Sequence, residues 1–187
     1  MKSTSLAERV AAVAPVRVQG TFYRHAALNR DAFAGGDLGR WGRNFPVIYL
    51  GRPPESVTIE AYRHLVEADK IPVDMVQPRR FYTVTVEVER VLDLTVAANV
   101  DAVGLTTADL QSDVDDYEAC QRVAAVAHQL ELHAIQSPAA AGFGVTLALF
   151  RERASLDELP HVQQEETWDR LPPDPRAVRL LRGGKSA

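Results

Sequence analysis

Five polar side chains stand where the surrounding pattern makes polar residues uncommon: Arg24, Arg40, Tyr49, Glu60 and Ser137. Arg24 ends a strand-like run, Arg40 sits in a glycine-rich loop, Tyr49 lies inside an apolar run, Glu60 is on the helix that follows, and Ser137 precedes a late apolar run. Their types define a chemistry. A guanidinium is a planar fork that grips two phosphate oxygens at once. A carboxylate stabilises positive charge that develops in a transition state, and a hydroxyl holds an oxygen ligand by hydrogen bonding. Other familiar machinery is missing: there is no GxxxxGK[ST] motif and no GxGxxG between a strand and a helix, so residues 35–39 (GGDLG) read as a flexible loop. The five histidines do not fall at metal-ligand spacings, and His128 and His133, five apart, share no helix face and read as surface or capping residues. Ser137 lacks the GxSxG elbow of a serine nucleophile.

Four of the five also have a plain structural reading. Glu60 can pair with Arg63 or His64 one turn on, and Tyr49 can be a core tyrosine with a satisfied hydroxyl. Arg40 can brace its own loop by stacking on Trp41 or pairing with Asp37. Ser137 before Pro138 can be an ordinary turn residue.

The elements that must position these groups follow from hydrophobic period. Residues 16–27 (VRVQGTFYRHAA) mix β-branched and aromatic types and predict a strand delivering Tyr23, Arg24 and His25 to its end. Residues 29–44 predict a loop. Residues 45–50 (FPVIYL) form a short apolar run of strand formers, covered on both faces. After Pro53-Pro54, Ser56 is the expected cap of a helix whose stripe is Val57, Ala61, Leu65 and Ala68, with Glu60 at the stripe's edge, where it can face a cleft. Residues 79–94 alternate, Tyr82, Val84, Val86 and Val88 against Thr83, Thr85, Glu87 and Glu89, the pattern of a half-buried strand. Residues 113–133 predict a long helix with Tyr117, Cys120, Ala124, Ala127 and Leu130 inward, and residues 145–150 a buried strand. The remainder, 151–187, is polar and proline-punctuated, with peripheral elements, a frayed end near Gly183-Gly184, and Trp168 either at an interaction surface or locally packed. Strands and helices intersperse without regular β-α-β alternation, so the class is α+β.

Composition sets the outer bounds. The chain has 187 residues, 46% hydrophobic and 25% charged, with net charge -4. That suits a single domain over 1–187, with a core at about 16–150 and a peripheral segment at 151–187. One cysteine makes no intrachain bridge and fits a reducing, cytoplasmic setting. The acidic balance gives no footprint for direct nucleic-acid binding, and no run approaches the ~20 apolar residues of a membrane span.

Four stretches together resemble the RES domain family, the toxins of bacterial RES–Xre toxin–antitoxin systems. They are Tyr23-Arg24; Gly39-Arg40-Trp41; residues 45–50 with Glu60 eleven beyond Tyr49; and residues 135–140 (IQSPAA). The resemblance implies an ADP-ribosyltransferase-like fold, with split sheets and flanking helices around an NAD cleft, and an activity that consumes NAD as substrate. It also implies a central trio, Arg40, Tyr49 and Glu60, with Ser137 as a fourth member and Arg24 with His25 as a secondary pair lining the same cleft. The sequence departs from the family pattern at three points: Leu38 stands where a glycine is usual, Gly42 rather than asparagine follows Trp41, leaving Asn44 to replace that amide, and the loop from Arg40 to Tyr49 is shortened.

Breaking NAD suits these residue types. Arg40 or Arg24 fits the pyrophosphate, and Tyr49 fits a ring stacked on nicotinamide or set against the ribose. Glu60 fits the carboxylate that stabilises the oxocarbenium-like ribose while accepting from its hydroxyl, and Ser137 fits a donor to a phosphate or to the acceptor. No metal is required. The expected reaction is phosphorolysis by inorganic phosphate or hydrolysis; the alternatives are a mono-ADP-ribosyltransferase with a protein target and a degenerate binding module. The partner implied by the resemblance is an Xre-type antitoxin that occludes the cleft and carries any DNA contact.

Overall fold

The structure is a computed structural model that describes residues 4–112 and 116–177. Among them, strands β1 (Val16–Ala27), β4 (Arg79–Asp93) and β7 (His161–Trp168) make one half of a sheet, with β4 central and both neighbours antiparallel to it. Strands β2 (Gly36–Gly39), β3 (Gly42–Arg52), β6 (Val145–Phe150) and β5 (Ala134–Pro138) make the other half, in that order and antiparallel throughout. Two links join the halves. β5 runs parallel to the C-terminal end of β4, and β1 meets β3 at the single register pair Tyr23↔Gly51. Beyond that pair β1 and β3 part, which gives the split-sheet α+β architecture.

The alternation of the strands decides where the core sits. Val18, Phe22 and Ala26 of β1 and Val84, Val86 and Val88 of β4 point the same way, onto Ile48, Leu50, Leu147 and Leu149 of the other half. The opposite face of β3, β5 and β6 carries Val47, Ile135, Ala148 and Phe150. Helices α1 (Leu6–Ala12), α3 (Ala97–Val103), α4 (Thr107–Gln111) and α5 (Glu118–Gln129) cover it. Burying each of these valine, leucine, isoleucine and phenylalanine side chains contributes about 1.5–3 kcal/mol. Cys120, Val123, Ala124 and Ala127 recur at the helical period on the buried face of α5, so the thiol is packing material.

Several expectations are corrected. The helix expected over 113–133 starts at Glu118 and stops at Gln129, and Glu131 takes a left-handed φ of 58°, so residues 131–133 leave the helix. Its expected opening, residues 113–115, and the tail near Gly183-Gly184 lie outside the described residues. The C-terminal part of the expected loop 29–44 is instead a β2–β3 hairpin turning through Arg40-Trp41. Ser56 does not cap α2 (Pro54–Ala61). Proline at the first helical position needs no N–H partner, so the helix begins three residues earlier and Ser56 is buried within its first turn. Asn44 is exposed at φ 69°, where the β2–β3 register shifts, and does not line the cleft that would need a replacement amide. His128 is not a surface residue: its ring stacks on Phe45 at 4.2 Å. His133 bonds the buried Glu158 at 2.8 Å. Trp168 packs locally, stacked on Phe81 at 4.5 Å. Among the described residues no helix is long and apolar enough to cross a membrane.

Candidate active site

A cleft of about 310 Å³ opens where β1 and β3 part, and its lining includes Arg24, His25, Arg40, Tyr49, Glu60 and Ser137. The fold brings all six together from five elements. Where β3 loses β1 as a neighbour, the carbonyl of Tyr49 is taken over by Arg24, whose Nη1 donates to it at 2.6 Å. The Nε of Arg24 is buried and has no protein acceptor among the described residues. Burial and the neighbouring Arg79 both lower the pKa of this guanidinium.

Arg40 occupies the two-residue turn of the β2–β3 hairpin and is 8% exposed. It follows neither plain reading, Trp41 or Asp37. α4 ends at Gln111, which leaves carbonyls of its last turn without helical partners. The guanidinium fork fills that need, donating from Nη1 to Asp109 O at 2.7 Å and Ser112 Oγ at 2.9 Å, and from Nη2 to Ser112 O at 2.5 Å. It also lies over the Tyr117 ring, 4.4 Å from its centroid, a cation–π contact. Arg40 therefore anchors the hairpin to the helical layer, while Arg24 keeps an Nε without a protein acceptor among the described residues.

Tyr49 and Ser137 are linked through Trp41. The backbone N–H of Trp41 donates to Tyr49 Oη at 2.9 Å, and its indole Nε1 donates to Ser137 Oγ at 3.2 Å. Burial raises the phenol pKa well above its ordinary value, so Tyr49 stays protonated. Gly39 is required beside it, because a Cβ there would stand 2.5 Å from Tyr49 Oη.

Glu60 lies near the end of α2, and a π-helical segment, Tyr62–Ala68, continues directly from it; such insertions concentrate at functional sites. Arg63 Nη1 donates to both carboxylate oxygens, at 3.1 and 3.4 Å, and His64 Nε2 stands 3.5 Å from Oε2. Burial pushes the carboxyl pKa up, but His64 and Arg63 outweigh it and hold the group below its usual range. The plain ion-pair reading of Glu60 thus holds together with its place in the cleft.

His25 accepts a hydrogen bond at Nδ1 from Arg79 Nε at 2.6 Å and stacks against Trp168, which puts its own proton on Nε2. Burial, then the charges of Arg79 and Arg24, push its pKa down to about 3. A free imidazole titrates near 6.5, so the unfolded chain takes the proton first. Stability is expected to fall as pH drops from about 6.5 toward 3, with His25 contributing up to about 1.4 kcal/mol per pH unit. Urea denaturation from pH 7 to pH 4 checks this: His25→Asn should flatten the slope, and an unchanged slope would show that His25 is not the group responsible.

Tyr117, beneath Arg40, was missed as a cleft residue, as was the double donation by Trp41. Tyr117 reads from sequence as one more inward position of a helix, and its contact with Arg40 joins distant parts of the chain.

The RES domain family matches residues 14–171. The chain is 30% identical over 176 residues to proteins named NAD(+) phosphorylase MbcT from Mycobacterium bovis and Mycobacterium tuberculosis, covering 86% of this chain and 94% of each relative. Among solved structures it is similar to the M. tuberculosis MbcT–MbcA toxin–antitoxin complex, with TM-score 0.75 and 27% identity, over 95% of this chain and 97% of that one.

Proposed function

Because this chain belongs to the RES domain family, we propose that it is an NAD-consuming toxin that transfers ADP-ribose to inorganic phosphate. The observation that carries this reading is the convergence of an ionised carboxylate, a protonated phenol and a donor-rich guanidinium in one cleft. In the reaction the bond between C1′ of the ribose and the nicotinamide nitrogen breaks, and nicotinamide leaves with the electron pair. A phosphate oxygen then forms the new bond to C1′, giving ADP-ribose 1″-phosphate and releasing a proton. Glu60 stabilises the positive charge that builds on the ribose, and its position among Arg63 and His64 keeps it ionised. Tyr49 holds the ring system against the wall. Arg24 offers its unpaired donor to the pyrophosphate, while Arg40 fixes the hairpin that frames the cleft and His25 lines it as a neutral group. The acceptor assignment is supported by the relatives' name, NAD(+) phosphorylase.

The partner we propose is an antitoxin of the Xre type, in a cytoplasmic pair, that occludes this cleft. The support is that the similar solved structure is a toxin bound to its antitoxin.

The test is nicotinamide release from NAD by the pure protein, with and without phosphate. Release that depends on phosphate is the expected result. Equal release without it would make the reaction hydrolysis, label from NAD on a protein band would make it protein modification, and no release would end the NAD-consuming reading.

A further inference from the structure

Two of the hydroxyl side chains that line the cleft answer to one residue. Tyr49 Oη and Ser137 Oγ each receive a hydrogen bond from Trp41, the first from its backbone N–H and the second from its indole. A hydroxyl has one proton to give and two lone pairs. With a lone pair of each committed to Trp41, and neither hydroxyl donating to a protein acceptor among the described residues, both protons remain available to a ligand. Trp41 itself cannot adjust: it is 1% exposed, in the core between β3 and the helices. Its turn is pinned by Arg40 to Asp109 and Ser112. Ser137 is likewise 1% exposed, in a strand paired with β6.

We propose that Trp41 is a positioning residue that orients the Tyr49 and Ser137 hydroxyls as a pair of donors toward the cleft, so that this wall receives a phosphoryl oxygen. The idea rests on the reading of the cleft as an NAD site. Phosphoryl oxygens are acceptors only, matching a wall of donors, and the charged fork of Arg24 lines the same cleft. The oxygen can belong to the dinucleotide's pyrophosphate or to inorganic phosphate.

Trp41→Phe keeps the buried ring and the backbone N–H but removes the indole donor. The Ser137 hydroxyl is then free to rotate. KM for the substrate that uses the wall, NAD or phosphate, is expected to rise about tenfold with kcat changed less than twofold. Ser137→Ala should give a similar rise, and the double variant no further one. Unchanged KM for both substrates in a folded Trp41→Phe, or effects that multiply in the double variant, would overturn the proposal. A second measurement needs no folded Trp41 variant. The chain has two tryptophans, so the wild-type protein gives two indole N–H signals by nuclear magnetic resonance, assigned with Trp168→Phe. The Trp41 signal should move on saturation with NAD or with inorganic phosphate, and which of them moves it identifies the source of the oxygen. A Trp41 signal unmoved by either, in protein that calorimetry shows to bind NAD, sinks the proposal alone; absence of NAD binding sinks the reading of the cleft itself.

Discussion

Glu60→Gln is expected to lower turnover of NAD by roughly 10²- to 10³-fold while the protein keeps its fold, the size of effect seen when one preorganised electrostatic group is removed from a reacting centre. The substitution is isosteric, so the contacts of α2 with β3 survive, and the side chain is only partly buried. What is lost is the negative charge proposed to stabilise the ribose. Circular dichroism and the denaturation midpoint separate this loss from unfolding, and turnover within threefold of wild type would mean that another group stabilises the cation. The low pKa of Glu60 adds a second readout. The group is held ionised by His64 and Arg63, so protonation of Glu60 should not reduce activity until pH falls below the ordinary carboxylate range.

Arg40→Ala is expected to cost about 3 kcal/mol of stability. Its fork serves two part-buried backbone carbonyls and a serine hydroxyl; Asp109 O keeps the Ser112 hydroxyl as a donor, whereas Ser112 O loses its donor, a penalty of ~1–3 kcal/mol, and the contact over the Tyr117 ring is lost as well. Arg40→Lys keeps the charge but not the fork, so it should recover about half of that. Urea denaturation of both variants measures it. A cost below ~1 kcal/mol for the alanine variant would show that the hairpin does not depend on this anchor. Activity should also fall at least tenfold in the folded lysine variant, because the same turn carries the Trp41 contacts to Tyr49 and Ser137.

How much of this was legible in the sequence varied with the range of the contacts involved. β1 and β6 are where period and β-branched content place them, because each buries one face or both against neighbours that reward that pattern. Glu60 was legible for the same reason: its angle on the helix puts it at the margin of the apolar stripe. The β2–β3 hairpin was not, since Gly36, Gly39 and Gly42 lack the side chains that signal a strand, and Gly39 and Gly42 are needed for close passage over Tyr49 and Val47. β7 was hidden because it is an edge strand with nearly every residue exposed, so it has no alternation to read. α1 did leave a trace, the Ser5-x-x-Glu8 capping box, whose reciprocal bonds the structure contains. The acceptors of Arg40 had no local sign, being supplied by a helix end about seventy residues away.

The single Tyr23↔Gly51 pair and the long-range ladders around it also set a timetable for folding. β1 must wait for β4, and Val47 of β3 pairs with Phe150 of β6, about a hundred residues later in the chain. Non-local pairings of this kind are slow to form because loop closure precedes any reward. During synthesis, at ~5–20 residues per second, Arg24, Arg40 and Glu60 emerge well before β5 and β6, which bring Ser137 and close the wall behind Tyr49. The nascent chain therefore has no assembled cleft until β5 and β6 have left the ribosome, so its charged cleft residues exist for an interval without the site they will form.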